Sequence, residues 1–327
     1  MATYRDIKGD LIETVASDPS NPIEGDIWYN TTTGTLKGLG FKAAAWASGG
    51  NLPQNRQNVE GVGTSTAGLA IGGATGPATP AFLGTSCEYD GTSWSPTTSM
   101  GGTDSISEGC FGTQTAAVAT GGYGDTATTL NQAREYNGTS WSSITNLPQA
   151  TRGAMGTGAE TSGLITAGEE STVLTNTQEY NGSSWTAGGA IPTATYNAAA
   201  GGTSESNSWF AGGADSFKNG TFIYNGSTWT SSGNLNTARD QVGGSGIQTA
   251  ALAFGGRVPP NNVTNVTESF DGSSWTTIPA TLGTSAKQAA AFGTQTSAIY
   301  AGNDPAAAIT QEFTGAGTEN KTVTTST

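Results

Sequence analysis

The chain has 327 residues, of which 49 are glycine, only 11% are charged and none is histidine. A net charge of −13, with 12 scattered Lys and Arg residues, argues against nucleic-acid binding, which requires clustered cations to displace counterions from phosphate. The lack of histidine excludes Ser-His-Asp and Cys-His catalysis and zinc sites with His ligands. The abundance of Gly, Thr, Ser and Ala predicts strands joined by tight turns rather than helices.

Residues 1–36 form a segment that precedes the repeats described below. Its first 17 residues contain no apolar run as long as a signal peptide requires, and no stretch of the chain is apolar enough to predict membrane insertion. Residues 25–37, with the sequence GDIWYNTTTGTLK, predict a strand, a Thr/Gly turn and a second strand. We therefore expect an N-terminal segment that contains a hairpin.

An aromatic residue, an Asx-Gly pair and a tryptophan then recur five times. The tryptophans of these phrases are 47, 44, 44 and 46 residues apart. Asn-Gly and Asp-Gly favour type I′ turns, because both central residues of that turn need positive φ. Each phrase therefore predicts a hairpin with the aromatic residue and the tryptophan on paired strands. The phrases occupy residues 89–94, 136–141, 180–185, 224–229 and 270–275.

An apolar run that ends in a small pair, usually Gly-Gly, recurs six times. A run of small residues lies upstream of each pair, for example at residues 109–112, 153–156 and 289–293. Small side chains suit strands that converge on an axis, so each repeat predicts a four-stranded meander that begins with this innermost strand. The runs occupy residues 69–73, 118–122, 164–168, 209–213, 252–256 and 299–302.

The glycine pair, the tyrosine and the tryptophan make these units resemble the kelch repeat. A Leu-Pro step followed by Arg extends the resemblance, at Leu52-Pro53 with Arg56 and Leu147-Pro148 with Arg152; Leu235 with Arg239 is a partial match. Other copies have Tyr196 and Lys287 near the Arg place. The resemblance implies an all-β fold, a six-bladed kelch-like β-propeller over residues 37–316.

The two ends of the repeat region complement each other. The last copy reaches residues 312–315 without a tryptophan, whereas Trp46 has no repeat before it. We expect the strand that ends at Trp46 to complete the sixth blade beside residues 308–315, which closes the ring and removes open sheet edges. Residues 317–327 are then a C-terminal tail. Cys87 and Cys110 fall in different blades and show no metal or redox spacing, so two packed thiols are expected, with a disulfide between them as the alternative.

The turns between the second and third strands of each repeat vary in length and chemistry, which favours a binding surface at that end. The candidate ligand-binding residues are aromatic side chains for stacking and polar ones for hydrogen bonds: Phe82, Tyr123, Asp125, Asp215, Phe217, Arg257 and Asp304. A solvated-turn role is the alternative for each. Acidic residues near the glycine pairs suggest calcium or solubility, and we predict solubility, no metal and no cofactor.

The N-terminal segment resembles the head of tail-fibre and appendage proteins of marine tailed phages. The matching stretches are YRDIKG at residues 4–9, SDPSNP at 17–22 and GDIWYN at 25–30. The resemblance implies a non-enzymatic virion structural protein that is assembled in the host cytoplasm and exposed on the particle. Residues 1–36 would bind other virion proteins, with Tyr4, Trp28 and Tyr29 as candidate attachment residues.

In that interpretation the propeller contacts a host-surface polysaccharide or receptor, and a second copy of the chain is a further candidate partner in a homo-oligomer. Two alternatives stay open. One is a bacterial exported or cell-surface carbohydrate-binding propeller. The other is a glycan-cleaving enzyme with paired carboxylates, because carboxylate separation is invisible in a sequence.

Overall fold

The computed structural model describes residues 12–76, 82–101, 105–106, 109–124 and 128–323. The fold is all-β and β-propeller-like, and the regular helix in these residues is limited to one 3₁₀ turn at Glu205–Asn207. The chain divides into two compact units. The repeat unit comprises Ala45–Thr314, and the terminal unit comprises Met1–Ala44 with Gly315–Thr327.

The repeat unit contains six four-stranded antiparallel sheets, here numbered 1 to 6 in chain order. Sheet 1 has strands Glu60–Thr64, Ala67–Ile71, Thr85–Tyr89 and Trp94–Ser99. Sheet 2 has strands Gly109–Thr113, Ala116–Thr120, Ala133–Tyr136 and Trp141–Ser143. Sheet 3 has strands Met155–Ala159, Ser162–Thr166, Thr177–Tyr180 and Trp185–Gly188.

The other three sheets repeat this order of strands. Sheet 4 has strands Ala199–Gly201, Trp209–Ala211, Thr221–Tyr224 and Trp229–Ser232. Sheet 5 has strands Gly243–Ile247, Ala250–Phe254, Thr267–Phe270 and Trp275–Ile278. Sheet 6 has strands Ala290–Gly293, Ser297–Ala301, Thr310–Thr314 and Ala45–Ser48.

The strand order within each sheet follows from the repeat chemistry. Asp90 shows how the last hairpin turns, because its Oδ1 accepts hydrogen bonds from the backbone N–H groups of Thr92 and Ser93 at 2.8 and 2.7 Å. The next residue, Gly91, has φ +92°, which glycine adopts without a Cβ clash. Tyr89 then lies opposite Trp94. The predicted hairpins, with the aromatic residue paired to tryptophan, are confirmed. The predicted type I′ turn is wrong, because the loop has four residues, Asp90 to Ser93, and Asp90 does not have positive φ.

Sheet 6 joins residues from both ends of the repeat unit. Its fourth strand, Ala45–Ser48, pairs antiparallel with Thr310–Thr314, and Trp46 lies opposite Phe313. Trp46 thereby takes the place that the fourth-strand tryptophan has in the other five sheets. The predicted pairing of the Trp46 strand with the last strand of the repeat region is therefore present.

The tryptophan indoles connect neighbouring sheets. In five sheets the indole N–H donates to a hydroxyl at the start of the third strand of the preceding sheet. Trp185 differs, because Ala133 has no hydroxyl there, and it donates to the Thr145 carbonyl at 2.8 Å instead. The hydroxyl contacts are Trp46 to Thr267, Trp94 to Thr310, Trp141 to Ser86, Trp229 to Thr177 and Trp275 to Thr221.

The first strands of the six sheets contact one another in sequence, and the first strand of sheet 6 contacts that of sheet 1. These strands approach closely because their residues are small. A Cβ on Gly156 would collide with the backbone of Cys110, and one on Gly244 would collide with Ala200. The small-residue runs are therefore a packing requirement of these innermost strands.

Two arginines are buried before the first strands of sheets 1 and 5. Arg56 donates to the carbonyl oxygens of Gly72 and Thr85, and Arg239 forms an ion pair with Glu268. The expectation that Arg152 is equivalent to them was wrong. Thr151 takes that buried place, and Arg152 lies one residue later with a side chain that is 35% exposed.

The terminal unit forms its own four-stranded sheet. Its strands, in spatial order, are Glu13–Val15, Ile27–Asn30, Thr35–Lys42 and Gly317–Thr322. The predicted hairpin is present, with Asn30 opposite Thr35. The sequence-based boundaries differ from the structure, because residues 37–44 belong to this unit and residues 317–322 form a strand rather than a tail. Six backbone-paired positions between Thr35–Lys42 and Gly317–Thr322 hold the chain ends together.

Among the described residues, no helix is long and apolar enough to cross a membrane. Cys87 and Cys110 are both buried and form no disulfide.

Candidate functional site

The segments between second and third strands, with the residues just before each first strand, form one end of the sheets, called here the second-turn face. Three cross-strand ion pairs lie there. Arg152 pairs with Glu169 at 3.1 Å and Arg257 with Asp240 at 2.6 Å, and Lys287 pairs with Asp304. In each pair one partner precedes a first strand and the other lies in the second turn of the same sheet. The charges of this face are thus largely neutralised in pairs.

The two arginines of these ion pairs also contact aromatic rings from the neighbouring sheet. The Arg152 guanidinium lies 4.8 Å from the ring centroid of Tyr123, which belongs to the second turn of sheet 2. The Arg257 guanidinium lies 5.5 Å from that of Phe217, in the second turn of sheet 4. Cation–π contacts of this kind fix the rings in place between sheets.

A row of left-handed residues precedes the first strands. Asn58, Gly153, Asn197, Gln241 and Gln288 have φ between 49° and 58°. Their backbones are linked, because Asn58 donates to Gln288, Asn197 to Gly153 and Gln241 to Asn197 at 2.7 to 2.8 Å. These residues line a cavity of about 100 Å³ at the inner strands. Gln241 Oε1 is buried there without a hydrogen-bond partner.

A neighbouring cavity of about 320 Å³ combines the amides with aromatic and charged groups. It is lined by Tyr123, Tyr196, Arg152 and Glu169 together with Asn58, Asn197 and Gln288. Burial raises the pKa of Tyr196, and the carboxylates of Glu169, Asp240 and Asp215 raise it further. Tyr196 therefore stays a neutral phenol that can both donate and accept a hydrogen bond. This mixture suits a polar, uncharged ligand with hydroxyl groups and a C–H face.

The candidate ligand-binding residues named from the sequence have different surroundings. Tyr123 lines the cavity just described, and Phe217 and Arg257 contact each other on the same face. Asp215 is exposed, and its carboxylate lies 3.6 Å from Lys218 Nζ. Asp304 forms an ion pair with Lys287. Phe82 forms a backbone bridge with Ala74 in the second turn of sheet 1. Asp125 lies outside the described residues.

The sequence analysis did not name Tyr196 or the row of left-handed residues as candidate ligand-binding residues. A usable signal was present, because Asn, Gln or Gly recurs two residues before the first strand in five of the sheets. Asn and Gly are the residues that most readily adopt positive φ, so this recurrence marks a left-handed position. Tyr196 takes the place that Arg152 has one sheet earlier, and so it also points to this face.

Among the described residues, the acidic side chains of the second turns are not gathered into a metal site. Within the described part of the chain, no group of three or more His, Cys, Asp or Glu side chains is placed to hold a metal ion. Glu169, Asp215 and Asp304 instead each lie beside a basic side chain from their own sheet.

The predicted attachment residues of the terminal unit have different environments. Trp28 is only 1% exposed, and its indole N–H donates to Asp18 at 3.0 Å, so little of its side chain is available to a partner and its role in attachment stays a prediction. The alternation of the strand turns Tyr29 to the opposite face, where it is 39% exposed. Tyr4 lies outside the described residues.

Asp18 is the centre of the terminal unit. Its carboxylate accepts hydrogen bonds from Lys37 at 2.9 Å, Asn30 at 2.8 Å and Trp28. These donors, Lys37 first, lower the pKa of Asp18 to about 2. Two separate stretches of the sequence, SDPSNP and GDIWYN, therefore meet in one hydrogen-bond network.

No protein-family model matches the chain. No curated protein is significantly similar to it.

Proposed function

We propose that this protein is a structural protein of a tailed-phage virion that attaches through its terminal unit and presents a closed, six-bladed kelch-like propeller to a host-surface glycan or receptor. The observation that carries the proposal is the distribution of exposed apolar side chains. Among the described residues, the exposed large hydrophobic side chains all belong to the terminal unit: Ile12, Ile23, Ile27, Tyr29, Phe41 and Val323. Exposed apolar groups concentrated in one unit favour an interaction surface.

Contacts across both sides of sheet 6 support the closed ring. Trp46 of sheet 6 reaches Thr267 of sheet 5, and Trp94 of sheet 1 reaches Thr310 of sheet 6. The Asn58 N–H, before sheet 1, also donates to the Gln288 carbonyl, before sheet 6, at 2.8 Å. A ring closed in this way leaves only the short fourth strands as sheet edges, which limits aggregation and suits a protein displayed on a particle.

The resemblance of residues 4–9, 17–22 and 25–30 to marine phage appendage proteins supplies the virion context. The bonds from Trp28 and Asn30 to Asp18 give that resemblance a physical basis, because the matched residues stabilise one small fold. The second-turn face, with Tyr123, Tyr196 and the paired charges, is the proposed receptor surface.

Electron microscopy of intact particles labelled with antibodies to the repeat unit tests the proposal. We expect label on virions, and loss of label when residues 1–44 and 315–327 are both deleted. The control deletes 324–327 alone and should leave incorporation unchanged. Unlabelled virions, or label confined to the surface of uninfected bacteria, would contradict the virion role and favour a bacterial surface protein.

The receptor function has a separate test. Purified full-length protein should compete with phage adsorption to host cells, and Tyr123→Ala with Tyr196→Ala should weaken that competition. Full competition by the double variant would place the receptor surface elsewhere.

A further inference from the structure

Sheet 4 contains a cavity of about 300 Å³ that is distinct in its lining from the amide-lined cavities. Its walls are the rings of Phe210, Phe217 and Phe222, and its rim includes Thr193, Ser216 and Asn219. Phe210 is fully buried and stacks on Phe222 with ring centroids 5.0 Å apart. Phe222 is half-buried, so one aromatic wall is accessible.

Comparison with the other sheets shows why the cavity exists. At the register position of Phe222 the other five sheets carry a side chain with a polar group: Cys87, Arg134, Gln178, Glu268 and Gln311. Thr195 likewise stands where sheets 1 and 5 bury Arg56 and Arg239. A threonine in place of arginine leaves the guanidinium volume unfilled, and Phe222 leaves no buried polar group to satisfy. Sheet 4 therefore has an apolar pocket where sheets 1 and 5 have a polar core.

The second turn of sheet 4 covers this pocket in an unfavourable backbone conformation. Asp215, Ser216 and Phe217 are consecutive non-glycine residues with φ of 65°, 78° and 48°. Lys218 Nζ holds the turn by donating to the carbonyl oxygens of Ala214 and Asp215 at 3.2 and 2.9 Å. Left-handed side-chain-bearing residues persist where surrounding contacts enforce them, and they concentrate at ligand-binding segments. The Phe217 ring is thereby fixed over the pocket, with Arg257 on it.

We propose that this pocket binds one sugar ring of a neutral glycan. The aromatic walls match the C–H face of a pyranose, and the Thr193 hydroxyl and the acceptor oxygens of Ser216 and Asn219 match its hydroxyls. Ser216 Oγ and Asn219 Nδ2 themselves donate to the carbonyl oxygens of Asp215 and Leu235. The adjoining cations do not call for an anionic ligand, because Lys218 is engaged by two carbonyl oxygens and Asp215, and Arg257 by Asp240. The volume lies at the lower end of ligand pockets, which suits a single ring. The assignment deepens the proposed receptor binding and rests on it for the source of the glycan.

Saturation-transfer difference NMR on the full-length protein tests the pocket, with methyl glycosides of glucose, galactose, mannose and N-acetylglucosamine as probes. We expect at least one glycoside to bind, and Phe222→Gln to weaken that binding about tenfold or more by removing the stacking wall. Glutamine occupies the same register in sheets 3 and 6, as Gln178 and Gln311, so this variant should fold. Ser227→Ala, in the last turn of the same sheet, is the control and should bind normally.

Phe217→Ala gives a second variant that removes the opposite wall without touching a strand. Circular dichroism melting curves of all variants verify the fold. Equal glycoside binding by wild type and both Phe variants would overturn the assignment, as would binding of N-acetyltryptophanamide in preference to every glycoside. If no glycoside binds while the protein still blocks phage adsorption, the pocket assignment fails and the receptor function stands. If glycosides bind as expected while virions lack the protein, the pocket stands and the virion role fails.

Discussion

The Tyr89 hydroxyl donates a hydrogen bond to the carboxylate of Glu312, 223 residues away in the sequence. It joins sheet 1 to sheet 6 in the way that Tyr136 joins sheet 2 to Glu88 and Tyr224 joins sheet 4 to Glu179. Where the carboxylate position holds Ile223 or Ser269, the aromatic residue of the following sheet is Phe270 or Phe313, which has no hydroxyl. The aromatic residue and its neighbour across the sheet boundary thus change together.

The Tyr89–Glu312 contact predicts a coupled effect on stability. Tyr89→Phe should lower the free energy of unfolding by about 1–3 kcal/mol, because it removes a hydrogen bond to a charged group. The double variant Tyr89→Phe with Glu312→Ile copies the Phe270–Ile223 pair and should recover part of that loss. Urea unfolding of the wild type, both single variants and the double variant measures the coupling. Strictly additive losses would show that the pair does not act as a unit.

The contacts of Trp46 give a prediction for sheet 6, which joins the two ends of the repeat unit. Its ring centroid lies 4.9 Å from that of Phe254 and 5.2 Å from that of Phe313. Trp46→Ala should therefore cost about 2–4 kcal/mol and accelerate amide hydrogen exchange at Thr310–Thr314. Trp46→Phe should have a smaller effect. Trp141→Ala is the matched control in sheet 2, and equal acceleration at Thr310–Thr314 in that variant would contradict the assignment.

Breaking the buried Arg239–Glu268 ion pair should destabilise the protein more than breaking the partly exposed Arg152–Glu169 pair. Glu268→Gln leaves the Arg239 guanidinium buried without a counter-charge, which should destabilise the protein by about 3–5 kcal/mol. Glu169→Gln breaks the partly exposed pair with Arg152 and should cost about 1 kcal/mol or less. Chemical unfolding at neutral pH and moderate salt compares the two. Similar losses in both variants would show that burial does not control the difference.

The raised pKa of Glu160 should make its contribution to stability depend on pH in the direction opposite to that of most carboxylates. A hydrogen bond with the Glu135 side chain, followed by burial and the Glu135 charge, raises the pKa of Glu160 from 4.5 to about 7. The folded state then holds this proton more tightly than the unfolded state, so stability from this group is full below pH 4.5 and is lost as pH rises through about 7. Glu160→Gln should raise the melting temperature relative to wild type above pH 7, with little difference near pH 4. An equal gain at both pH values would exclude this proton-linked explanation.

Asp18 predicts acid sensitivity in the terminal unit. The hydrogen bonds from Lys37, Asn30 and Trp28 lower its pKa from 3.8 to about 2. The stabilisation is therefore present above pH 3.8 and is lost as the pH falls towards 2. Asp18→Asn should accelerate hydrogen exchange at Ile27–Asn30 at neutral pH and leave sheets 1 to 6 protected. Faster exchange throughout the repeat unit would contradict a local role.

Much of the repeat unit was predictable because its signals are local. Asx-Gly turns, glycine pairs and small first strands each follow from the conformations or space that a few residues allow, and five or six copies repeat each of them. The partner of Trp46 followed from the same pattern, because a strand lacking a repeat and a repeat lacking a strand match. The Gly317–Thr322 strand was missed because GTENKT has neither the alternation nor the aromatic residues of a strand.

The sequence by itself determined the strand order and the turns of each repeat, because backbone sterics and hydrogen bonding act over a few residues. Only the tertiary structure decided which side chains meet. It buried Trp28 on Asp18, placed Arg152 one residue beyond the buried arginine site, and opened the pocket beside Phe222. A shift of one residue along a strand turns a side chain to the other face, and such shifts are settled by packing between segments that are distant in the chain.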